Sequence, residues 1–344
     1  MVLVHYEDYA LEHFKQCYES LKAQSFPREQ FTIFVVNNGA SKEADHFVRA
    51  LSPEARHLSN GTNKGWAHAN NLAIKTALDE NYEYMVLLNM DAEVDKDWLL
   101  HLARGTEERP TSHIIQSKIL LFGTNQINSM GNRIHFLGYG YCLGYGKINQ
   151  DYKNDDLIDF VSGASMLVSA EVFRRIGFFD EEYFMYYDDM EFCWRARLAG
   201  FRVSLEPKSI CYHKHNFHGK IKFLYHLEKN RLLTVFTLSK KRTLLFLAPA
   251  LISAQLVSGV YFVSKGYLPE ITALYRYFFK KKTRHYILSK RMKVRRLRKC
   301  SDSVIVKNFS PIIFFAGIQD HKSVKLANLL LSLYWKTLRN FIRW

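Results

Sequence analysis

The stretch YMVLLNMDAEV, residues 84–94, decides the fold class because it joins a continuous apolar run to an acidic tip. Its first part, YMVLLN, has the length and composition of a strand buried on both faces. Similar apolar runs precede it, MVLVHY at residues 1–6 and FTIFVV at 31–36, and a short strand is predicted at Arg56–Ser59. Helical periodicity lies between them, at Leu11–Ala23, Lys42–Leu51 and Gly65–Leu78. This alternation predicts an α/β fold with a mostly parallel sheet flanked by helices.

Polar residues follow three of these predicted strands. They are Tyr6-Glu7, Asn37-Asn38 and Asn89-Met90-Asp91. In open α/β sheets ligands bind beyond the carboxyl ends of the strands. We therefore expect these clusters to contribute to one binding site.

A second acidic stretch, YYDDMEFCW at residues 186–194, sets three carboxylates among aromatic side chains. A solvated acidic face is not normally flanked by aromatic residues. Carboxylates close together beside apolar groups have perturbed proton affinities, as is common at functional sites. The alternative is structural, because acids in the first turn of a helix also suit the helix dipole.

Charge divides the chain of 344 residues into two parts. Residues 240–344 contain 22 Lys and Arg against three acids, although the whole chain has a net charge of only +15. We therefore predict a catalytic domain at residues 1–239 and a basic, helical, membrane-associating region at 240–344. Such asymmetry indicates a polyanionic surface, either membrane or nucleic acid, that the tail alone meets.

The tail contains an uncharged run of 22 residues, Thr243 to Ser264, which is long enough to span a bilayer. Basic residues flank it on both sides, and the positive-inside rule would keep both flanks in the cytoplasm. An in-plane or re-entrant arrangement is preferred, with a single span as the alternative. The last segment, with polar residues at intervals of three or four from Lys322 to Arg343, resembles a basic amphipathic helix. The structural alternative is a helix packed on the catalytic domain.

The five cysteines are scattered and form no CxxC motif, so neither a zinc site nor a disulfide framework is indicated. A reducing, cytosolic environment is the expectation. The first residues, MVLVHYEDYA, lack a basic segment followed by a long apolar run, so we expect no signal peptide.

Six motifs occur in a fixed order along residues 1–235. They are VVNNGAS (35–41), NKGWAHANN (63–71), LLNMDAEV (87–94), SGASMLVSAEVFRRIGFFDEEYF (162–184), YYDDMEFCWRARLAGFRV (186–203), and CYHKHN (211–216) with LEKNRLL (227–233). In this order the chain resembles the family-2 glycosyltransferases of GT-A fold, nearest to the rhamnosyltransferase-like branch. The resemblance implies a Rossmann-like sheet and an inverting transfer from a nucleotide sugar.

The resemblance implies a metal site at the tip of the YMVLLN strand. Asp91 matches the acid that holds a divalent cation on the diphosphate, and His213 matches a later histidine ligand, with His215 as its rival. Mg²⁺ or Mn²⁺ suits such oxygen and imidazole ligands. Asn89 stands where some relatives have an aspartate, and Glu93 is an alternative second carboxylate.

The resemblance also assigns the acids of the second stretch. Asp189 matches the general base, Asp188 replaces the usual glutamate, and Glu191 matches a following aspartate. Aromatic neighbours would raise the pKa of the Asp189 carboxyl and improve it as a base.

The resemblance further assigns nucleotide-sugar binding to residues on several loops. They are Tyr6, Glu7, Asn37, Asn63, Lys64, Gly65, Asn71, Asn89 and Gly163. Glu7 and Asn37 depart from the family pattern, which has asparagine and aspartate there. The amide oxygen of Asn37 can still accept from a pyrimidine imide, although a neutral acceptor is weaker. Gly65 allows close backbone approach, and Asn71 anchors the loop. For Asp180 a structural cap is preferred, and for Arg195, Arg197 and Asn230-Arg231 ion pairing within the fold.

Together these features predict a metal-dependent, inverting glycosyltransferase acting in cell-surface polysaccharide synthesis. Its expected partners are a dTDP- or UDP-linked sugar, a lipid-linked or glycan acceptor, and an anionic membrane surface, with no nucleic acid. The expected location is the cytoplasmic face of the plasma membrane. Two alternatives remain open: a non-catalytic relative that binds sugar nucleotides, and a nucleic-acid-binding protein that uses the basic tail.

Overall fold

The computed structural model describes residues 1–149, 158–214, 223–314 and 322–344. The strands are β1 (Val2–Glu7), β2 (Phe34–Ala40), β3 (Arg56–Ser59), β4 (Tyr84–Leu88), β5 (Ala92–Val94), β6 (Ser112–Leu121), β7 (Ile127–Ser129), β8 (Asn132–Ile134), β9 (Gly140–Cys142), β10 (Ser165–Ser169) and β11 (Arg202–His213). The helices are α1 (Tyr9–Lys22), α2 (Lys42–Leu51), α3 (Trp66–Asp79), α4 (Trp98–Glu108), α5 (Ala170–Ile176), α6 (Asp188–Leu198), α7 (Leu224–Leu238), α8 (Lys241–Ser264), α9 (Leu268–Phe279), α10 (Lys281–Leu297), α11 (Asp302–Val306) and α12 (Lys322–Leu338).

A mixed sheet organises the first part of the chain. Its strand order is β3-β2-β1-β4-β10-β6-β11-β5, and β7 pairs with β6. The neighbours β3, β2, β1 and β4 run parallel, whereas β10 is antiparallel to both β4 and β6. β11 returns parallel to β6 and antiparallel to β5. The parallel half therefore confirms the strand–helix alternation predicted for the first hundred residues.

The core of this sheet is built from the apolar runs that identified the strands. Leu3, Val35 and Leu88 are fully or almost fully buried, and α1 covers them with residues such as Phe14. A parallel strand with helices on both sides has no solvent face, which explains the continuous apolar sequences. The apolar runs end at the strand tips, where the polar clusters begin.

The chain forms two compact units. The first comprises Met1–Asn132, Cys142–Ala196 and Phe201–Asn216. The second comprises Arg133–Tyr141, Arg197–Gly200 and Phe217–Trp344. The domain boundary predicted between residues 239 and 240 stays a prediction.

The second unit is helical from α7 onward. In α12 the indole of Trp335 is fully buried and stacks on Phe136, with ring centroids 4.7 Å apart. The predicted polar stripe of this helix includes Asn328, whose side chain exchanges hydrogen bonds with the backbone of Ile313. One side of α12 therefore packs within the second unit. Among the described residues, α8 is the one helix long and apolar enough to cross a bilayer by these criteria alone.

Candidate functional site

Two predicted metal ligands meet where β5 pairs with β11. Asp91 lies three residues beyond the end of β4, immediately before β5. The antiparallel register aligns His213 with Ala92. This alignment brings His213 Nε2 to 3.2 Å from Asp91 Oδ1. Residues 122 positions apart thus form one pair of groups of the kinds that can hold a metal ion.

The spacing of this pair fits a shared divalent cation. Two adjacent ligands of an octahedral ion, each about 2.1 Å from it, lie about 3 Å apart. The described residues contain no group of three or more His, Cys, Asp or Glu side chains that could hold a metal. Glu93, the alternative carboxylate, forms an ion pair with Lys214 at 2.8 Å. His215, the rival ligand, lies outside the described residues. Among the described residues, Asp91 and His213 are the pair that could hold such a cation.

Asn128, on β7, lies behind the histidine. Its Oδ1 is 3.4 Å from His213 Nδ1, and the Asn128 residue is buried. An acceptor at Nδ1 favours the tautomer that carries its proton there and leaves the Nε2 lone pair directed at Asp91 and the cation position. The structure therefore adds Asn128 to the site as a positioning residue.

Two stacked tyrosines from the start of the chain lie near the same acid, and one of them contacts it. The hydroxyl of Tyr9, in the first turn of α1, hydrogen-bonds to Asp91. Burial, followed by the negative charge and hydrogen bond of Asp91, raises the pKa of Tyr9 well above its ordinary value. Tyr6, predicted to bind the nucleotide, stacks on Tyr9 with centroids 5.1 Å apart and is 37% exposed. Its ring is accessible to a ligand.

The predicted base, Asp189, lies in the first turn of α6. Its Oδ2 accepts a hydrogen bond from the Gly163 N–H at 3.0 Å, and its Oδ1 accepts from the Met190 N–H at 2.7 Å. Each oxygen of a carboxylate can accept more than one hydrogen bond. The backbone thus orients the carboxylate. Asp188 is buried beside it.

A short segment connects the base to the metal pair. Gly163 holds Asp189, and the next residue, Ala164, accepts a hydrogen bond from the Asn89 N–H at 3.0 Å. The indole N–H of Trp66 donates to Asn89 Oδ1 at 3.4 Å. A Cβ on Gly163 would lie 2.8 Å from the Trp66 ring. Asn89, Gly163 and Asp189 are therefore held in one contact network, two residues from Asp91.

The loop before α6 is strained. Phe184 has φ 63° and ψ −56°, and the Met185 N–H donates to the Tyr183 carbonyl, which defines a γ-turn with positive φ. Tyr186 and Tyr187 also have positive φ. Non-glycine residues in this region cost about 1–3 kcal/mol each and concentrate at functional sites. The strain precedes Asp188 and Asp189 directly. Burial raises the pKa of Tyr186 to about 12.

The predicted nucleotide loop is tied to the tip of β2 by Asn38. Its Nδ2 donates to Asn63 Oδ1, and its Oδ1 accepts from the Lys64 N–H. Asn63 Oδ1 also accepts from the Gly65 N–H. Asn38, which belongs to the polar cluster predicted at the tip of this strand, thus orders three of the predicted nucleotide-binding residues.

Asn37 is engaged within the same turn. Its Oδ1 accepts from the Gly39 and Ala40 N–H groups at 3.0 and 2.8 Å. A side-chain hydrogen bond also joins Asn37 to Asp45. A pyrimidine imide would have to share the Asn37 oxygen with these backbone donors. The predicted contact between Asn37 and the pyrimidine ring of the nucleotide stays a prediction.

Asn71, predicted to bind the donor and anchor a loop, is 1% exposed. Its amide exchanges hydrogen bonds with the backbone of Phe179 and donates to Glu181 Oε1. These bonds place it as an anchor of the loop that leads to α6. Glu7, which is also predicted to bind the nucleotide sugar, is the last residue of β1 and has a φ of 45°.

Other acids of the motifs have structural partners. The fully buried Glu191 forms a two-bond ion pair with Arg195 at 2.8 and 3.0 Å. Asp180 accepts from the Glu182 N–H as a cap. Arg231 pairs with Glu228 in α7. These contacts agree with the structural roles expected for Asp180, Arg195 and Arg231.

Three contributors were missed by reasoning from the sequence. They are Tyr9, Trp66 and Asn128. Trp66 lies inside a motif quoted for its neighbours, so its position was a usable signal. Tyr9 and Asn128 lie outside the motifs, and only the packing of α1 and β7 brings them to the site.

Known proteins resemble the chain in sequence. Residues 3–177 match the pattern of the family described as Glycosyl transferase family 2. The low-salt glycan biosynthesis hexosyltransferase Agl10 of Haloferax volcanii is 32% identical over 175 residues, which cover 49% of this chain and 54% of that protein. The match thus spans about half the length of that relative. The rhamnosyltransferase WbbL of Escherichia coli is 27% identical over 68% of this chain and 90% of its own.

A solved structure shares the fold. The mannosyltransferase PcManGT of Pyrobaculum calidifontis, in complex with GDP-Man and Mn²⁺, superimposes with a TM-score of 0.51 at 16% identity. The superposition covers 86% of this chain and 84% of that one. The likeness establishes the GT-A architecture.

Proposed function

Because the chain belongs to glycosyl transferase family 2, we propose that it is an inverting, metal-dependent enzyme of glycan synthesis. It transfers a sugar from a nucleotide-sugar donor to a hydroxyl of a lipid-linked acceptor. The observation that carries the proposal is the Asp91–His213 pair, 3.2 Å apart, next to the contact network that holds Asp189. The relatives support glycan synthesis, since one is named for glycan biosynthesis and another as a rhamnosyltransferase.

Asp91 and His213 would hold Mg²⁺ or Mn²⁺ through Oδ1 and Nε2. When bound, such a cation neutralises the charge of the departing nucleoside diphosphate. The mannosyltransferase of the same fold contains Mn²⁺ together with its nucleotide sugar, which supports this assignment. Tyr9 donates a hydrogen bond to Asp91, and Asn128 faces His213. A neighbouring side chain therefore orients each of the two proposed metal ligands.

Asp189 would remove the proton from the acceptor hydroxyl as that oxygen attacks the sugar. The bonds from Gly163 and Met190 hold its carboxylate in one orientation, which reduces the entropy lost on reaching the reacting geometry. Attack from the face opposite the diphosphate produces inversion. Asp188, the other acid of the pair, is buried beside the base.

The donor would lie across the tips of β1, β2 and β4. Tyr6 offers an accessible ring for stacking, and the loop of Asn63, Lys64 and Gly65 is pre-ordered by Asn38. We propose a dTDP- or UDP-linked hexose or deoxyhexose. Rhamnose is the first sugar to test, because of the Escherichia coli relative.

The acceptor would be presented at the cytoplasmic face of the plasma membrane. A polyprenyl-linked glycan cannot leave the bilayer, so its enzyme must come to the surface. The charge of residues 240–344, with 22 Lys and Arg against three acids, supports attachment to anionic lipid.

The Asp189→Asn variant tests the proposal. Since an amide cannot take a proton at neutral pH, sugar transfer should fall by about 10³-fold or more, while donor binding stays within about twofold. Transfer and donor binding are measured with a panel of nucleotide sugars, and chelator should suppress transfer by the wild-type chain. Asp79→Asn, which changes an exposed carboxylate at the far end of α3, is the matched control and should keep wild-type rates.

Two results would contradict the proposal. Transfer that survives in Asp189→Asn removes the base assignment. Donor binding without any transfer by the wild-type chain favours the non-catalytic relative.

A further inference from the structure

The second unit exposes apolar side chains on two adjacent helices. On α8 they follow a helical stripe, and the residues are Leu245, Ile252, Leu256 and Val260, between 59% and 74% exposed. On α12 the stripe is Leu326, Leu329, Leu330 and Leu333, between 57% and 59% exposed. We call these eight residues the apolar face. Soluble proteins rarely leave so many large aliphatic groups in water without a partner.

Polar contacts tie α8 to α12 and to the segment that follows α12. The hydroxyl of Tyr334, in α12, donates to the Phe246 carbonyl of α8 at 2.5 Å. The Trp344 indole donates to Thr243 at 2.9 Å. On α12 the exposed leucines lie opposite Trp335, the residue buried inside the second unit. The leucines therefore remain exposed after the helix has packed.

Basic residues border the apolar face. On α12, exposed Lys322 and Lys325 each precede a leucine of the stripe by four positions, and exposed Lys336 follows Leu333 by three. Residues three or four apart share a side of a helix. On α8, Lys241 and Arg242 lie at one end and Lys265 follows the other. Lysine stems can lie along apolar surface while the ammonium groups reach outward.

The midpoint of α8 argues against a membrane span. The fully buried guanidinium of Arg231 donates to Gln255 Oε1 at 2.5 Å and is also paired with Glu228. If α8 crossed a bilayer, this charged network would lie near the depth of its centre, which is costly. Basic residues lie at both ends of α8, so a span would also place one basic cluster on the non-cytoplasmic side of the membrane, against the positive-inside rule.

From this arrangement we propose that the apolar face is an in-plane docking surface for an anionic lipid bilayer. The leucines of α12 and the stripe of α8 enter the boundary between headgroups and acyl chains. The bordering lysines and arginines contact anionic headgroups. The inference deepens the proposed function, since it rests on a membrane-borne acceptor, and it assigns the surface that reaches it.

Flotation of the full chain with lipid vesicles tests the surface. Binding is expected to vesicles of phosphatidylcholine with phosphatidylglycerol and to weaken with added salt. The double variant Leu326→Glu/Leu330→Glu should lower the partition coefficient by about tenfold or more. The matched control is Leu11→Glu/Ile148→Glu, which changes two exposed aliphatic residues of the first unit and should bind like wild type.

Orientation is tested by labelling. Lys241→Cys and Lys265→Cys are made separately in a chain whose partly exposed Cys142 and Cys300 are serine. A membrane-impermeant thiol reagent added outside the vesicles should modify both positions. Protection of one end alone would mean that α8 spans the bilayer and would overturn the in-plane arrangement.

Three other results would overturn the surface itself. In the first, both double variants float equally well with vesicles. In the second, the chain binds DNA tightly and does not bind vesicles. In the third, the chain binds no vesicles but forms a dimer, and the leucine substitutions dissociate that dimer. Transfer to a soluble acceptor is measured in parallel. If it persists while flotation is absent, the docking surface fails and the proposed function stands. If flotation behaves as expected without transfer, the proposed function fails instead.

Discussion

At the scale of single residues, Gly65 shows why one position in a motif cannot vary. Its φ of 90° suits glycine, and a Cβ would lie 2.4 Å from the carbonyl oxygen of Phe184. That oxygen also accepts from the Trp66 N–H at 2.8 Å. The sequence suggested close backbone approach to the nucleotide at Gly65. In the structure the close neighbour is the strained loop before the base.

Gly65→Ala should therefore disturb two loops. We expect a loss of about 1–3 kcal/mol in unfolding free energy, because the φ penalty adds to the clash with Phe184. The control is Gly61→Ala, which also has positive φ but has nothing within 4 Å of its Cβ position. Chemical denaturation of both variants measures the difference. An equal cost at the two positions would show that the Phe184 contact contributes nothing.

Asn128 offers a second test at this scale, through the affinity for metal. Asn128→Leu removes the acceptor at His213 Nδ1 and should weaken Mn²⁺ binding by about 10–100-fold. Asn128→Asp keeps an acceptor and should bind Mn²⁺ at least as tightly as wild type. Titration calorimetry with Mn²⁺ alone separates binding from turnover. Equal weakening in both variants would leave Asn128 with a packing role only.

At the scale of elements, helix starts and strand tips supply nearly all the candidate chemistry. The tip of β4 presents Asp91, the end of β11 presents His213, and the first turn of α6 presents Asp189. Regular elements limit how far these side chains can move. The three left-handed residues before α6 are the exception, since their conformation depends on contacts such as the one with Gly65.

Gln255 tests the packing of α8 against α7. Gln255→Leu removes one acceptor from the buried Arg231 guanidinium and should cost about 1–2 kcal/mol, because Glu228 and the Leu137 carbonyl remain. Ser253→Leu, an exposed position two residues away, is the control and should stay within about 0.5 kcal/mol. Denaturant unfolding in the absence of lipid measures both. Equal stability of the two variants would mean that the Arg231–Gln255 contact contributes nothing, and it would remove this contact as an argument against a membrane span by α8.

At the scale of the whole molecule, acid stability should depend on a buried histidine. Burial, partly offset by Asp45 at 3.9 Å and reinforced by His57 and Arg49, lowers the pKa of His5 from 6.5 to about 4. The folded state then prefers neutral His5. Between pH 6.5 and 4 the unfolded chain binds more protons, so stability falls as the pH falls through that window.

The expected loss from His5 is about 3 kcal/mol across the full window, from 1.36 kcal/mol per pKa unit. His5→Gln should show a smaller decrease in unfolding free energy between pH 7 and pH 5 than wild type. His46→Gln, at an exposed histidine of α2, is the control and should keep the wild-type slope. Denaturant unfolding at both pH values provides the measurement, and parallel slopes for all three proteins would contradict the prediction.

The amino-acid sequence by itself determined the alternating elements of the first hundred residues and the acids at their ends. Apolar runs of strand length and helical periodicity are local properties, and they report burial directly. α2 and β3 accordingly have the predicted bounds, Lys42–Leu51 and Arg56–Ser59. The order of six motifs also indicated the family and named both Asp91 and Asp189.

The family resemblance assigned Asp91 and His213 to one metal site, but only the tertiary structure decided how these two groups meet and which other residues join them. His213 faces Asp91 because β11 pairs antiparallel with β5, and no local pattern specifies that register. Tyr9 and Asn128 join the site for the same reason, through the packing of α1 and β7. The antiparallel insertion of β10 between β4 and β6 likewise depends on contacts distant in sequence. Register and packing are collective, so they arise from the summed fit of many side chains and cannot be assigned to any one stretch.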